Sequence, residues 1–254
     1  MSKLPKEHKF IDLSDYGRPI AQIIVNQLKE TRFTAIHVTI WFIIAGLIAI
    51  YFILNQQFTL AAVFLILKSI LDAADGGLAR AKNKPSYTGR YLDSVSDIIL
   101  NTLIFAAIFT ITKTPVWIAI TAFLGLQLQG TLYNYYYVIL RNRYEGDTTS
   151  RVFEYSTPNA LPGESQKNVN VLFFLYKMLY GVFDKIIYAL DKNANKGKPF
   201  PKWFMTCVSS FGLGFQLLII ALMLVLNLKE FILLFFLIYS LIIFAFIGIR
   251  KSFF

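Results

Sequence analysis

The sequence predicts an all-α integral membrane protein. It expects six transmembrane helices, an N-terminal amphipathic helix along the bilayer surface, and a further surface helix between spans four and five. Three observations carry this expectation. Hydrophobic residues make up 56% of the 254 residues and charged residues only 16%, against about 25% charged in a water-soluble domain. Six runs approach or exceed the roughly 20 apolar residues that cross a hydrocarbon layer. Basic residues also sort to alternate connecting segments, as they do when one membrane face retains positive charge.

The elements follow in order. Residues 1–34 read as a surface segment and 35–254 as one membrane domain. Within 16–33, Ile20, Ile23, Ile24 and Leu28 share one helical face, while Gln22, Asn26, Lys29 and Glu30 lie away from it. Pro19 suits the first turn of such a helix. The expected spans are 35–54, 58–79, Gly89 to Thr112, 115–140, 203–226 and 231–249. Residues 168–192 are also long enough to cross, but Lys177, Asp184 and Lys185 interrupt them. A seventh crossing there would reverse the charge rule for the last two spans, so this helix is laid on the surface. The stretch 144–166, rich in Ser, Thr, Gly, Pro and Glu, reads as a solvated loop or a lid. The first 30 residues hold no apolar core of a cleavable signal. A single cysteine, Cys207, leaves no intrachain disulfide.

The net charge of +10 has a location. Segments 1–34, 80–90, 141–202 and 250–254 together hold 22 of the 25 Lys and Arg. Lys113 and Lys229 lie in the short opposite loops, and Lys68 lies within the second span. Both termini are therefore expected on the cytoplasmic face, with the basic excess meeting anionic lipid headgroups. This distribution argues against a nucleic-acid partner.

Between the second and third spans stand Asp72, Asp75, Asp93 and Asp97. An ionised acid near lipid costs on the order of 3 kcal/mol, and four together repel unless cations sit between them. Asp72 and Asp75 are spaced i, i+3 and Asp93 and Asp97 i, i+4, so each pair shares a helical face and a short turn lets the faces converge. Carboxylate oxygens without His or Cys suit Mg²⁺, Mn²⁺ or Ca²⁺. Gly76, Gly77 and Ala79 remove side-chain bulk, Arg80 offers a fork for phosphate oxygens, and Gly89 is expected to break the chain before the third helix. The pattern points to a metal–pyrophosphate complex at the membrane surface.

Asp72, Asp75, Gly76, Ala79, Arg80, Gly89, Asp93 and Asp97 fall within 26 residues. Their spacing matches the signature of the CDP-alcohol phosphotransferases, so the chain resembles that family. The resemblance implies transfer of a phospho-alcohol group from a CDP-linked donor to a hydroxyl acceptor, with release of CMP. CDP-diacylglycerol is the favoured donor; a small CDP-alcohol such as CDP-choline or CDP-ethanolamine is the alternative. It implies Asp72, Asp75, Asp93 and Asp97 as ligands of two Mg²⁺ or Mn²⁺ ions and Asp97 as general base, with Asp93 and Asp97 both needed for turnover. It further implies Gly76, Ala79, Arg80 and Gly89 as the nucleotide cradle, a homodimer, and a bacterial cytoplasmic membrane as the location. Many members carry Pro-Asn-x-x-Thr near the first span, where this chain reads Ala35, Ile36, His37, Val38, Thr39.

A divalent-cation transporter is the rival class, since buried carboxylates also mark ion pathways. Against it, the acids gather at one face, with no matching group opposite. Other polar residues carry two readings each. Gln127, Gln129, Asn134 and Gln216 line an acceptor cavity or bond helix to helix. Lys68 faces the acids or snorkels. His37 packs or sits at the interface. Arg141, Arg143 and Arg151 bind a phosphorylated acceptor or report topology. Tyr133, Tyr135, Tyr136 and Tyr137 look like an interfacial aromatic belt. Ser209, Ser210, Gly212 and Gly214 suggest close helix packing, including at a dimer interface.

Overall fold

The computed structural model describes residues 4–144, 154 and 156–254. Ten α-helices and no strand occur among the described residues: α1 (Arg18–Leu28), α2 (Ala35–Leu54), α3 (Phe58–Ala81), α4 (Tyr87–Ile111), α5 (Val116–Arg143), α6 (Gln166–Leu190), α7 (Lys202–Val208), α8 (Leu213–Val225), α9 (Lys229–Tyr239) and α10 (Ile242–Phe253). Among the described residues, four stretches are long and apolar enough to cross a membrane: α2, α4, α5, and Lys229–Phe253 comprising α9 and α10. The pair Lys202–Phe211 and Leu213–Val225, bent by 54°, makes a fifth if it is one span. Large apolar side chains such as Ile44, Leu47, Trp117, Ile120, Phe231 and Phe244 stand exposed on these helices. That surface fits an integral membrane protein, whose outer face meets lipid rather than water.

The second expected span, α3, is apolar in its first half and carries Lys68, Asp72, Asp75 and Arg80 in its second. The third helix begins at Tyr87, so Gly89 is not a break. Gly89 lies in the first turn and donates its N–H to the Oγ of Ser86, the N-cap, at 2.8 Å. A Ser N-cap satisfies one of the orphan donors that every helix start leaves.

The fifth expected span is broken at Ser209–Gly212, and the cause is tertiary. The N-terminal turn at Leu13–Asp15 wedges into the break. Leu13 N donates to Ser209 Oγ at 2.9 Å, and a Cβ on Gly214 would stand 1.9 Å from the Ser14 carbonyl oxygen. Gly212 and Gly214 thus accommodate a segment of their own chain. The sixth expected span is also interrupted, between Tyr239 and Ile242. There Ser240 receives a hydrogen bond from Gln129 at 3.0 Å and packs into the space left by Gly125.

The four tyrosines near the end of α5 are not a lipid-facing belt, because all are buried within the protein. Tyr133 OH donates to Asp12 Oδ2 at 2.6 Å, Tyr136 OH to Asp191 Oδ2 at 2.6 Å, and Tyr135 OH to the Asp191 carbonyl at 3.0 Å. Burial supplies the apolar contact that a membrane interface would, and the hydroxyls find protein partners. Asp191 is fully buried and is also held by Arg250 Nε at 2.7 Å.

Packing places the polar site at one end of the bundle. Ile53, Leu65, Ile104, Leu126, Leu217 and Phe236 form an apolar core where α2, α3, α4, α5, α8 and α9 meet. The charged half of α3 lies beyond it, packed on α1, and reaches α4 through the side chains of Lys68 and Asp97. On α1, Ala21 and Val25 are buried, while Ile20 and Ile23 stay 52% and 58% exposed, so an apolar face is left uncovered by protein. Glu164 closes the other side. It accepts from Ser86 Oγ at 2.7 Å, Thr88 N at 2.7 Å and Tyr87 N at 3.2 Å, capping α4.

Candidate metal and nucleotide site

The paired spacings on α3 and α4 do converge. One carboxylate oxygen from each of Asp72, Asp75 and Asp93 lies within 4.8 Å of the others. Asp75 is 6% exposed and its Oδ2 accepts from Thr39 Oγ1 of α2 at 2.7 Å. That hydroxyl fixes the carboxylate and leaves its other oxygen for a cation. Asp93 Oδ1 is buried with no hydrogen-bond partner among the described residues. A buried carboxylate oxygen without a donor is costly, and a divalent cation would satisfy it. Three hard oxygen donors, one of them orphaned, fit a Mg²⁺-like ion.

Asp97 stands apart from this trio. Its Oδ1 accepts from Lys68 Nζ at 2.6 Å. Lys68 is fully buried, lies 3.9 Å from Asp72 Oδ2, and sits 4.9 Å from the Phe42 ring centre. The lysine therefore faces the acids. A buried ammonium is tolerated only when paired, and Asp97 is its closest partner.

The small residues divide by role. A Cβ on Gly76 would meet the Arg80 guanidinium at 3.2 Å, so this glycine lets Arg80 fold back along α3. A Cβ on Gly77 would stand 3.0 Å from Val25 of α1, a packing role. Ala79 is half-buried beside Arg80, and Gly89 is buried against the Ser86 cap.

Other expected residues have structural partners. Gln216 donates to Gln129 Oε1 at 3.0 Å and to the Leu126 carbonyl at 3.2 Å, which is helix-to-helix bonding. His37 completes a capping box with Thr34 at the start of α2. Arg143 donates to the Gly197 carbonyl at 2.8 Å, and Arg141 is 5% exposed with its guanidinium 5.1 Å from the Tyr137 ring centre. Arg151, and the lid expectation for residues 145–153 and 155, lie outside the described residues.

Sequence reasoning gave Thr39, Glu154 and Glu164 no role. Thr39 had a signal, since it is the one position of the family's first-span pattern that this chain keeps. The two glutamates had none, because loop acids are ordinary. Glu154 pairs with Arg90 and accepts from the Tyr91 hydroxyl.

The model of the family described as CDP-alcohol phosphatidyltransferase matches residues 23–161, which is 139 of the 254 residues and contains all four aspartates. No curated protein gives a significant match to the chain.

Proposed function

The chain belongs to the CDP-alcohol phosphatidyltransferase family, transferases of substituted phosphate groups, and from that premise we propose a Mg²⁺- or Mn²⁺-dependent transfer from CDP-diacylglycerol to a polar alcohol. The carrying observation is the convergence of Asp72, Asp75 and Asp93 beside the Lys68–Asp97 pair. Asp72, Asp75 and Asp93 would hold the first ion, with Asp97 contributing when a second is bound. Bound metal supplies neutralisation of the diphosphate and of the departing CMP.

The chain's own groups do the rest. Arg80, folded over Gly76, binds phosphate oxygens, and Ala79 and Gly89 leave room for the nucleotide. Lys68 grips Asp97 Oδ1 and holds the carboxylate so that Oδ2 meets the acceptor hydroxyl. As the acceptor oxygen bonds to the phosphorus that carries the diacylglycerol, the bond from that phosphorus to CMP breaks. The hydroxyl proton passes to Asp97 Oδ2. Proton removal at this step is general-base catalysis.

Six spans, with α3 as the second and α7–α8 and α9–α10 as bent fifth and sixth, complete this reading. The uncovered Ile20 and Ile23 support α1 as a surface helix. For α6, Glu164 just before it accepts from Ser86 Oγ and Thr88 N at the start of α4, and Asp191 just beyond it receives Tyr135 and Tyr136 near the end of α5. Both ends of α6 therefore meet the same end of the bundle, as a surface helix does. The basic segments support a cytoplasmic position for that end and both termini, and the reading takes the membrane to be a bacterial cytoplasmic membrane. A homodimer belongs to the reading too, with a contact other than Gly212 and Gly214.

A donor–acceptor matrix scored by lipid product mass, with CMP release followed in Mg²⁺ and in chelator, tests the proposal. Metal-dependent CMP release from CDP-diacylglycerol is expected. Transport of Mg²⁺ or Mn²⁺ into liposomes without CMP release would overturn it in favour of a transporter.

A further inference from the structure

Helix α6 begins after the residues that the family model matches, which end at 161, and it packs along the acid-bearing start of α4. Val169, Phe173, Tyr176 and Tyr180 recur at helical spacing and share one face of α6. Their rings form a row along α4. Phe173 meets Tyr91 edge-on at 5.5 Å between ring centres, Tyr176 stands 5.3 Å from the same ring, and Tyr180 stacks on Tyr176 at 5.3 Å.

Tyr180 ends this row at the aspartates. Its hydroxyl donates to the Ser94 carbonyl at 3.1 Å. Ser94 follows Asp93 and precedes Asp97 by three residues, so Ser94 and Asp97 are neighbours on one face of α4. Burial, and then the charges of Asp97 and Asp93, raise the Tyr180 phenol well above its ordinary value. The ring therefore stands, neutral, beside both carboxylates.

Asp97 is the group assigned to take the acceptor's proton, and it meets little water. Its side chain is 14% exposed, and Lys68, bonded to its Oδ1, is fully buried. A base so placed cannot by itself tell an alcohol from water, since both offer a hydroxyl. If water reached Asp97 Oδ2, its oxygen would bond to the donor's phosphorus, the bond to CMP would break, and the proton would pass to the carboxylate. The donor would be lost to hydrolysis. Bulk water outnumbers any dissolved alcohol, so the enclosure has to supply the discrimination. Lys68 closes the α3 side of Asp97, and Tyr180 stands on the α6 side.

We infer that α6, through Tyr180, keeps water from replacing the alcohol at Asp97, so that the protein transfers its donor group rather than hydrolysing it. The ring is the cover and the hydroxyl anchors it to α4. Tyr180 is thus a specificity-determining residue that acts on the choice of acceptor. This rests on the transferase reading and goes beyond it.

The test uses the purified full chain in phosphatidylcholine nanodiscs, whose headgroups bear no hydroxyl. CDP-diacylglycerol and Mg²⁺ are supplied in heavy-oxygen water with no alcohol added, and a parallel arm supplies CDP-choline instead. Labelled phosphatidic acid or phosphocholine, formed with CMP, counts attack by water. Tyr180→Leu should hydrolyse the donor about tenfold faster than wild type, equivalent to about 1.4 kcal/mol. It should also pass a smaller share of donor to product when the alcohols of the donor–acceptor matrix are added. Tyr180→Phe keeps the ring and should stay within about threefold of wild type, or roughly 0.7 kcal/mol. The Mg²⁺-dependent affinity for CMP should hold in both, because the metal trio is untouched. Should Tyr180→Leu fail to fold, Tyr180→Met, with an adaptable side chain that fills the gap, takes its place with the same expected result.

A purely structural tyrosine would lower hydrolysis and transfer together. That outcome, or hydrolysis within about twofold of wild type (roughly 0.4 kcal/mol) in the folded Leu or Met variant, would overturn the inference and leave the transferase reading intact. So would a wild type that hydrolyses its donor as fast as it transfers it. A wild type with no metal-dependent affinity for CMP, and no CMP release from either donor with any alcohol, would instead sink the transferase reading, and this inference with it.

Discussion

Lys68 Nζ on α3 lies 2.6 Å from Asp97 Oδ1 on α4, and the lysine has no exposed surface. This pair separates Asp97 from the metal trio one turn away and gives the site an internal cation. Replacing Lys68 by Met leaves Asp97 without its counter-charge. Turnover should fall by about 100-fold or more, the scale of a misplaced general base. Stability should fall by about 3–5 kcal/mol, the cost of breaking a buried pair. Lys68→Arg should recover part of both. The double variant Lys68→Met, Asp97→Asn should regain stability but not activity, as thermal unfolding and product assays would report.

Thr39 Oγ1 holds Asp75 Oδ2 at 2.7 Å. A hydrogen bond to a charged group contributes about 1.5–3 kcal/mol. Thr39→Val should therefore lower kcat/KM about tenfold or more, while Thr39→Ser stays near wild type. Equal effects of the two variants would show that the methyl, rather than the hydroxyl, matters.

Mg²⁺ together with CMP should raise the unfolding temperature of the wild-type protein, since a ligand that binds only the folded state stabilises it. Asp93→Asn should abolish that rise along with turnover, because Asp93 Oδ1 is buried without a donor among the described residues. An unchanged thermal response would remove Asp93 from the metal site. Chelation of the wild type should stop turnover, and Mg²⁺ or Mn²⁺ should restore it.

Burial alone would raise the Glu164 carboxyl. The Ser86 hydroxyl and the N–H groups of Thr88 and Leu161 outweigh it and hold the group below its ordinary value. Its stabilising contribution is therefore present at neutral pH and is lost as pH falls through that lowered value. Glu164→Gln should cost about 1 kcal/mol at neutral pH, the usual worth of a helix N-cap interaction. The difference from wild type should vanish in acid, which unfolding curves from pH 7 down to about 3 would show.

A methyl on Gly214 would collide with the backbone oxygen of Ser14, whereas one on Gly248 meets nothing within 4 Å. Gly214→Ala should destabilise by about 2 kcal/mol or more, as overpacking against rigid backbone does. Gly248→Ala, inside α10, should be neutral or stabilise by up to about 1 kcal/mol. A comparison of their unfolding midpoints checks the seat of the N-terminal turn.

The helices and the acids were legible for local reasons. Long apolar runs define spans through composition, and α2 occupies the expected 35–54. Regular spacing puts Asp72 with Asp75 and Asp93 with Asp97 on shared faces, and a short connection brings those faces together. The breaks at Ser209–Gly212 and at Ser240 were not legible. Each is set by a partner far along the chain, Ser14 in one case and Gln129 in the other. The tyrosines on α5 misled for the same reason. An amphipathic ring suits a membrane interface and a buried hydroxyl pocket equally, and only Asp12 and Asp191 decide between them.

The sequence by itself determined the class of molecule, the family and the oxygen-rich acidic site, because these follow from residue type and short spacing. Tertiary structure alone decided that Lys68 pairs with Asp97 and that Thr39 steadies Asp75. Those relationships join residues on different helices. A hydrogen bond or ion pair acts over about 3 Å, and no periodicity along a single helix records which neighbour comes that close.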